Sequence, residues 1–256
     1  MNSPEPVSGP PLRLVMSSLL RADFAVLLKS RRALLISVVL PILILFSTNS
    51  SKATKSFGGA LFIIGLAIAY GLVANSILGY ALTVARDREQ AVFQRLRVTP
   101  APTWTIMTSR LAMQVLANLV ITVIVVIVGS RIHHVSLSAG TYGLVLVVSI
   151  LGGAVFLSIG QALVGLVKSA DSINAAGRVL VLGLVLLSSL GQSGALGSIW
   201  ETIARWSPVG VVMTLFAAVL KLSTWDTHDW LTLLAAGGYL VVFGAIGIRW
   251  FQWDAR

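Results

Sequence analysis

Cysteine is absent from this chain of 256 residues, and charged residues make up only 11% of it. The lack of cysteine excludes disulfides and thiolate chemistry and leaves few ligands for a metal site. Charged residues reach about 25% in a soluble domain. A soluble fold of this size could not hide the 56% of residues that are hydrophobic, because much of its surface must face water. We therefore expect much of the chain to lie in lipid.

Six apolar runs of membrane length follow one another along the chain. They cover about residues 33–48, 58–85, 104–129, 141–167, 179–196 and 231–250. The first run is short and contains Pro41, so part of its length is expected to come from the preceding helix. The predicted fold class is an all-α polytopic membrane protein with six transmembrane helices.

The basic residues indicate how these spans are oriented. The chain carries 19 Lys and Arg against 9 Asp and Glu, and 14 of the 19 fall on one side of the predicted spans. Basic residues collect on the cytoplasmic side of a membrane. We therefore expect a multi-pass protein of the cell membrane with both termini in the cytoplasm. The excess of positive charge then reflects orientation in the membrane, and no nucleic-acid partner is expected.

Residues 1–32 are predicted to form a cytoplasmic tail and an interfacial helix. Apolar residues recur every four positions from Leu12 to Leu28, beside a polar stripe that includes Arg13 and Arg21. Such a helix can lie in the membrane interface, with its basic side toward anionic lipid. The alternative is a solvated segment whose periodicity has no function.

The loop between the second and third runs reads ARDREQAVFQRLRVTPAPTW. Its composition predicts a helix over about 86–99, which Thr99-Pro100 would end. Val92, Phe93 and Leu96 fall on one face of that helix. A small apolar ridge on a charged helix favours docking into a groove of a soluble partner. The alternative is a helix that folds back onto lipid.

This loop resembles the first cytoplasmic loop of ABC-2 type transporter permeases, in particular their bacterial drug-export (daunorubicin-resistance-like) branch. This chain has Ala91-Val92 where the family usually has Gly-Thr. The segments LLKSRRALLISVVLPILILF and IARWSPVGVVMTLFAAVL, with Pro41 and Pro208, are similar to two further family segments. The loop positions that match the family pattern are Glu89, Phe93, Arg95, Leu96, Thr99 and Pro100.

The resemblance implies a six-span permease domain over 33–256, with a coupling helix at about 86–99 and an outer re-entrant region at about 197–220. It also implies a second permease subunit, as a homodimer or a related heterodimer, and a separate ATPase subunit that binds ATP and Mg. The chain itself has no Gly-Lys dipeptide and hence no P-loop, so no cofactor is expected on it. The residues expected to couple to the ATPase are Arg88, Glu89, Val92, Phe93, Arg95, Leu96, Thr99 and Pro100.

Small and polar residues recur at helical spacing inside the predicted spans. The second span carries one every four positions from Ala67 to Thr83. They could pack helices closely and hydrogen-bond across them. They could also line a translocation pathway or a subunit interface, because polar groups facing lipid are costly. The candidates are Gly71, Asn75, Gly79, Gln114, Asn118, Gln161, Gln192 and Glu201.

No catalytic or metal-binding residue is assigned. Asp226-Thr227-His228-Asp229 has no further His or Cys spacing to support a metal site. The predicted function is that of a non-enzymatic permease subunit in an ATP-driven exporter of hydrophobic or amphipathic, drug-like molecules, as in antibiotic resistance. A permease for lipid-linked or polysaccharide cargo and a membrane assembly factor remain the alternatives.

Overall fold

A computed structural model of the chain describes residues 11–29, 31–49, 59–92, 103–192, 197–220 and 226–250. Within these ranges the secondary structure is helical, without strands. The helices are α1 (Leu12–Lys29), α2 (Arg31–Ser47), α3 (Ala60–Glu89), α4 (Thr103–Ile132), α5 (Ala139–Leu166), α6 (Ala170–Gln192), α7 (Ser198–Trp206), α8 (Pro208–Leu220) and α9 (Thr227–Arg249).

Five helices in the described part of the chain are long and apolar enough to cross a membrane: α3, α4, α5, α6 and α9. Counting the bent pair α7–α8 as one more crossing gives six. The predicted all-α polytopic fold is therefore confirmed. The first predicted run is the exception in length, since the apolar part of α2 that the structure describes covers only Ser37–Ser47.

The fifth predicted span was wrong at its start. It was expected from about residue 179, but α6 begins at Ala170, and only three residues separate it from the end of α5. The Ser169 hydroxyl caps this helix by accepting a hydrogen bond from the Ser172 amide at 3.1 Å, and Asp171 lies in the first turn, where a negative charge is favourable. Arg178, expected in a cytoplasmic loop, consequently lies inside the helix, about 12 Å along its axis from Ala170.

The short helix α8 lies in the centre of the bundle. It packs against the first half of α3 (Ala60–Val73), against α5 and against α9. Val212, Met213 and Phe216 of α8 are fully buried. Leucine and valine side chains of α4, α6 and α9 instead face outward, as expected where the surrounding solvent is lipid.

α7 and α8 meet at an angle of 80°. Pro208 begins α8, where its missing amide hydrogen costs nothing. Ser207 between the helices has an extended backbone. Its hydroxyl donates to the Ala204 carbonyl at 2.7 Å and accepts from the Gly210 amide at 3.1 Å. The Ser207 side chain thus replaces the backbone hydrogen bonds that the bend removes.

The outer surface of α7 is amphipathic. Ile199, Trp200 and Ile203 are exposed, and Arg205 binds Glu201 one turn away at 3.1 Å. A helix with exposed indole and aliphatic groups beside charges suits the boundary between lipid and water.

The bend predicts a strict size limit at Gly210. A Cβ atom there would come within 1.9 Å of the Ala204 carbonyl oxygen and 2.7 Å of the Arg205 carbonyl oxygen. Gly210→Ala should lower the melting temperature of the detergent-purified permease, because overpacking at backbone atoms costs about 1–3 kcal/mol.

The matched control for this variant is Gly237→Ala in α9, where a Cβ atom meets nothing within 4 Å. It should leave the melting temperature unchanged or raise it, because alanine favours a helix over glycine. Equal melting temperatures for the two variants would contradict the packing described for the bend.

Candidate functional site

A buried polar cluster joins α3 to α4 at mid-length of α3. The Asn75 side-chain amide donates to Asn118 Oδ1 at 2.7 Å, and Asn118 Nδ2 donates to Ser76 Oγ at 3.2 Å. Asn75 and Asn118 are only 4% and 1% exposed. An amide buried without a partner would cost a few kcal/mol, so the two asparagines bind their helices together by satisfying each other.

The cluster continues from α4 to α5. The Thr122 hydroxyl donates to the Asn118 carbonyl at 2.9 Å and shares a short hydrogen bond with the Ser149 hydroxyl of α5. Gly153 of α5 faces Asn118, and a Cβ atom there would lie 2.7 Å from Asn118 Nδ2. Three helices therefore meet around the Asn118 side chain.

α3 contains a π-helical segment, Ala74–Ala81, at the level of this cluster. The side chain of Gln114 donates from Nε2 to the carbonyl of Asn75, the second residue of the segment, at 3.0 Å. Gly160 of α5 faces the Ser76 carbonyl, where a Cβ atom would approach within 2.8 Å. π-Helical segments are rare and often lie at functional sites. Here α4 supplies a hydrogen-bond donor to the segment, and α5 approaches it closely through a glycine that has no side chain.

The small and polar residues that were predicted at every fourth position of the second span differ in their surroundings. Gly71 is buried between α2 and α4, where a Cβ atom would lie 2.8 Å from Ile121 and 3.1 Å from Pro41. Gly79 is half-buried, whereas Thr83 is exposed. A role of these residues in a pathway or a subunit interface stays a prediction.

The remaining pathway candidates lie apart from the cluster. Gln161 of α5 accepts a hydrogen bond from the Tyr80 hydroxyl of α3 at 2.7 Å. Glu201 lies exposed on α7. The side chain of Gln192 lies outside the described residues.

At the C-terminal end of α3, Arg88 reaches the end of α5. Its guanidinium donates to the carbonyls of Val164, Val167 and Lys168 at 3.0, 2.8 and 2.6 Å, and the residue is only 3% exposed. The last carbonyls of a helix lack intrahelical donors and carry partial negative charge. Arg88 therefore caps α5.

The next residue, Glu89, reaches the beginning of α6. Its Oε1 accepts a hydrogen bond from the Ala170 amide, the first of that helix, at 2.6 Å. The first amides of a helix have no intrahelical acceptor and carry partial positive charge. Two adjacent residues of opposite charge thus hold the two helix ends that flank the turn at 167–169. We call Arg88 and Glu89 the α3 clamp.

The helix predicted over about 86–99 is interrupted. α3 ends at Glu89, and Ala91 follows with a φ of 56°, so residues 86–89 belong to α3 and not to a separate coupling helix. The break directly follows Arg88 and Glu89, whose side chains contact the ends of other helices. These contacts cannot be recognised from the local sequence. Val92 is half-buried after the turn. Phe93, Arg95, Leu96, Thr99 and Pro100 lie outside the described residues.

Two further contacts near the C-terminal end of α3 were not predicted. Arg110 of α4 forms an ion pair with Asp87 of α3, and the Ser109 hydroxyl hydrogen-bonds to Asp23 of α1. α1 is thereby fixed to α4 beside the α3 clamp. A lone arginine in an apolar run signals a counter-ion, so Arg110 could have pointed to Asp87.

On the opposite side of the bundle, the Asp226–Asp229 motif begins α9. Asp226 accepts from the amides of His228 and Asp229, and Asp229 accepts from the Asp226 amide. This is a capping box, beside a cavity of about 420 Å³ that also contains Arg205. Among the described residues, no group of three His, Asp or Glu side chains could hold a metal ion.

The apolar helices and the internally satisfied polar groups define a multi-pass membrane protein. The family model of the ABC-2 type transporter matches residues 15–220, and the chain belongs to this family. It is therefore the membrane-spanning permease component of an ABC transporter, a kind of chain that is generally non-catalytic and that works with an ATPase subunit. α9 lies beyond the matched residues. No curated protein matches the chain.

The polar cluster predicts that Asn118→Leu destabilises the permease. The substitution leaves the Asn75 amide buried without its acceptor, which should cost about 1–3 kcal/mol of unfolding free energy. The double variant Asn75→Leu/Asn118→Leu should recover part of that loss, because replacing both partners of a buried pair is less costly than removing one. Thermal unfolding of the purified variants measures both effects.

Thr83→Val is the matched control on the same helix. Thr83 is exposed, and its hydroxyl bonds only to the Gly79 carbonyl one turn before it. Its melting temperature should stay near that of the wild type. A double variant less stable than Asn118→Leu alone would contradict the pairing.

Proposed function

We propose that this permease exports hydrophobic or amphipathic small molecules from the cell, driven by ATP that a separate ATPase subunit hydrolyses. The observation that carries the proposal is the position of the carboxylates in the described spans. Among the described residues they occur near the ends only, as Asp87, Glu89, Asp171, Glu201 and Asp229. Transport coupled to ions or protons usually needs such a group within the membrane, so ATP is the favoured energy source.

The expected cargo enters laterally from the membrane. The polar side chains of the Asn75–Asn118 cluster are occupied with one another, which leaves apolar surfaces for a cargo with an apolar part. The resemblance of the loop at 86–99 to the drug-export branch supports a drug-like molecule. Lipid-linked or polysaccharide cargo is the second candidate within the same family.

The proposed assembly is a pair of permeases with a pair of ATPase subunits in the plasma membrane. The absence of a Gly-Lys dipeptide, and hence of a P-loop, from this sequence supports an ATPase on a separate chain. The outward apolar side chains of α6, such as Val179, Leu182 and Leu186, suit either lipid or a second permease subunit.

Purification of the tagged permease from its native membranes tests this function. A P-loop ATPase should co-purify, and the complex in liposomes should move a fluorescent amphiphile only when ATP is hydrolysed. A chain that brings down membrane-complex subunits without an ATPase would be an assembly factor. Transport that follows an ion gradient in the absence of ATP would also contradict the proposal.

The sequence of the first cytoplasmic loop predicts that Phe93 docks on the ATPase. Phe93→Ala should reduce ATP-driven transport at least tenfold, since removing a buried aromatic anchor from an interface costs about 2 kcal/mol or more of binding free energy. Membrane insertion should not change. Phe24→Ala is the control, because Phe24 is an exposed phenylalanine on α1, and it should transport normally. Unchanged transport by Phe93→Ala would exclude the docking role.

The proposed orientation can be measured by labelling, because the chain has no cysteine. Ser136 and Lys168 are exposed residues in the turns at the two ends of α5. A membrane-impermeant maleimide added to intact cells should label Ser136→Cys and not Lys168→Cys. Labelling in the reverse order would mean that the termini lie outside.

A further inference from the structure

We propose that the α3 clamp makes the turn at 167–169 a second entry point for ATPase-driven motion. Arg88 and Glu89 would act as positioning residues that carry a displacement of the first cytoplasmic loop to the ends of α5 and α6. This inference rests on the proposed coupling of that loop to an ATPase. It gives Arg88 and Glu89 a role in transmission inside the permease, and not in docking on the partner.

The first argument is the burial of Arg88. An arginine at the cytoplasmic end of a span can extend its side chain into water, as long basic side chains commonly do. Arg88 does not, since it is 3% exposed and its guanidinium lies on three carbonyls of one helix end. Hydrogen bonds from a charged donor are about twice as strong as neutral ones, so the end of α5 is held firmly to α3.

The second argument is the charge pattern. Arg88 holds the negative end of α5, and Glu89 holds the positive end of α6. The reverse order of charges would be repelled at both ends. A contact that served only to anchor α3 would need one of the two residues. Because both residues bind, the end of α5 and the start of α6 must move together with α3.

The third argument is the shortness of the connections. Only residues 167–169 separate α5 from α6. The backbone of the first cytoplasmic loop begins with a turn at Gln90 and Ala91, directly after the clamp. The Gln90 and Ala91 amides bond back to the carbonyls of Arg86 and Arg88 at 2.9 and 3.2 Å. No flexible residues therefore lie between the start of the first cytoplasmic loop and the clamp.

Spin labels on the permease–ATPase complex in nanodiscs can follow the motion of the turn. Cysteines replace the exposed residues Lys168 in the turn and Ala22 on α1, and the distance between labels is measured with ADP and after vanadate trapping of ATP. In the wild type, the distance should change between the two states. In Glu89→Ala the change should be lost, whereas ATP hydrolysis should persist and transport should fall about tenfold, the effect of losing one charge-assisted hydrogen bond.

Two variants separate transmission from structure. Glu89→Gln keeps an oxygen that accepts from the Ala170 amide but loses the charge, so it should restore part of the distance change and part of the transport. Arg86→Ala removes an exposed charge from the same turn of α3 and should behave as the wild type. A merely structural role of Glu89 would lower the amount of folded complex without altering the distance change.

The outcomes distinguish this inference from the proposed function. A wild-type complex whose label distance does not respond to ATP would contradict the coupling of the permease to an ATPase. A wild-type change that persists in Glu89→Ala would overturn the clamp and leave the proposed function standing. Loss of the ATPase from purified Glu89→Ala would make Glu89 a docking residue, and would equally overturn the clamp.

Discussion

The hydrogen bonds around Asn118 satisfy a constraint that governs the whole bundle, because hydrocarbon offers no partner to a polar group. Asn75, Ser76 and Thr122 are arranged around Asn118 so that side-chain amides and hydroxyls find one another. The relative rotation of α3 and α4 is fixed by these few bonds, since the apolar contacts between them have little directional preference. Without this pairing, the side-chain amide of Asn75 in the π segment would be buried without an acceptor.

The same constraint takes another form at the C-terminal end of α3. There the unsatisfied groups are the ends of helices, and the side chains that reach them are charged. Arg88 and Glu89 serve α5 and α6, while Asp87 neutralises Arg110 of α4. Three successive residues of α3 thus contact three different helices. The end of α3 is consequently the place where these helices are joined, beside the loop that we propose docks on the ATPase.

Much of the fold could be predicted from the sequence, because length and hydropathy alone decide which segments can cross a membrane. Asn75, Gln114 and Asn118 could be selected as polar residues within apolar runs, although their partners could not. The π segment and the break after Glu89 could not be predicted, since the contacts around both join α3 to helices that are distant in the sequence. The start of α6 was missed because Arg178 was read as a loop residue, whereas the helix continues through it.

The π segment also has a consequence for the tolerated length of the chain. A sequence one residue shorter across 74–81 could cover the same distance with ordinary α-helical hydrogen bonds. Because a turn of π-helix takes up one residue more than a turn of α-helix, Arg88 would still point toward the α5 carbonyls. A deletion in the α-helical parts of α3 would instead turn everything after it by about 100°. A deletion within 74–81 should therefore disturb the contacts at the end of α3 less than a deletion elsewhere in this helix.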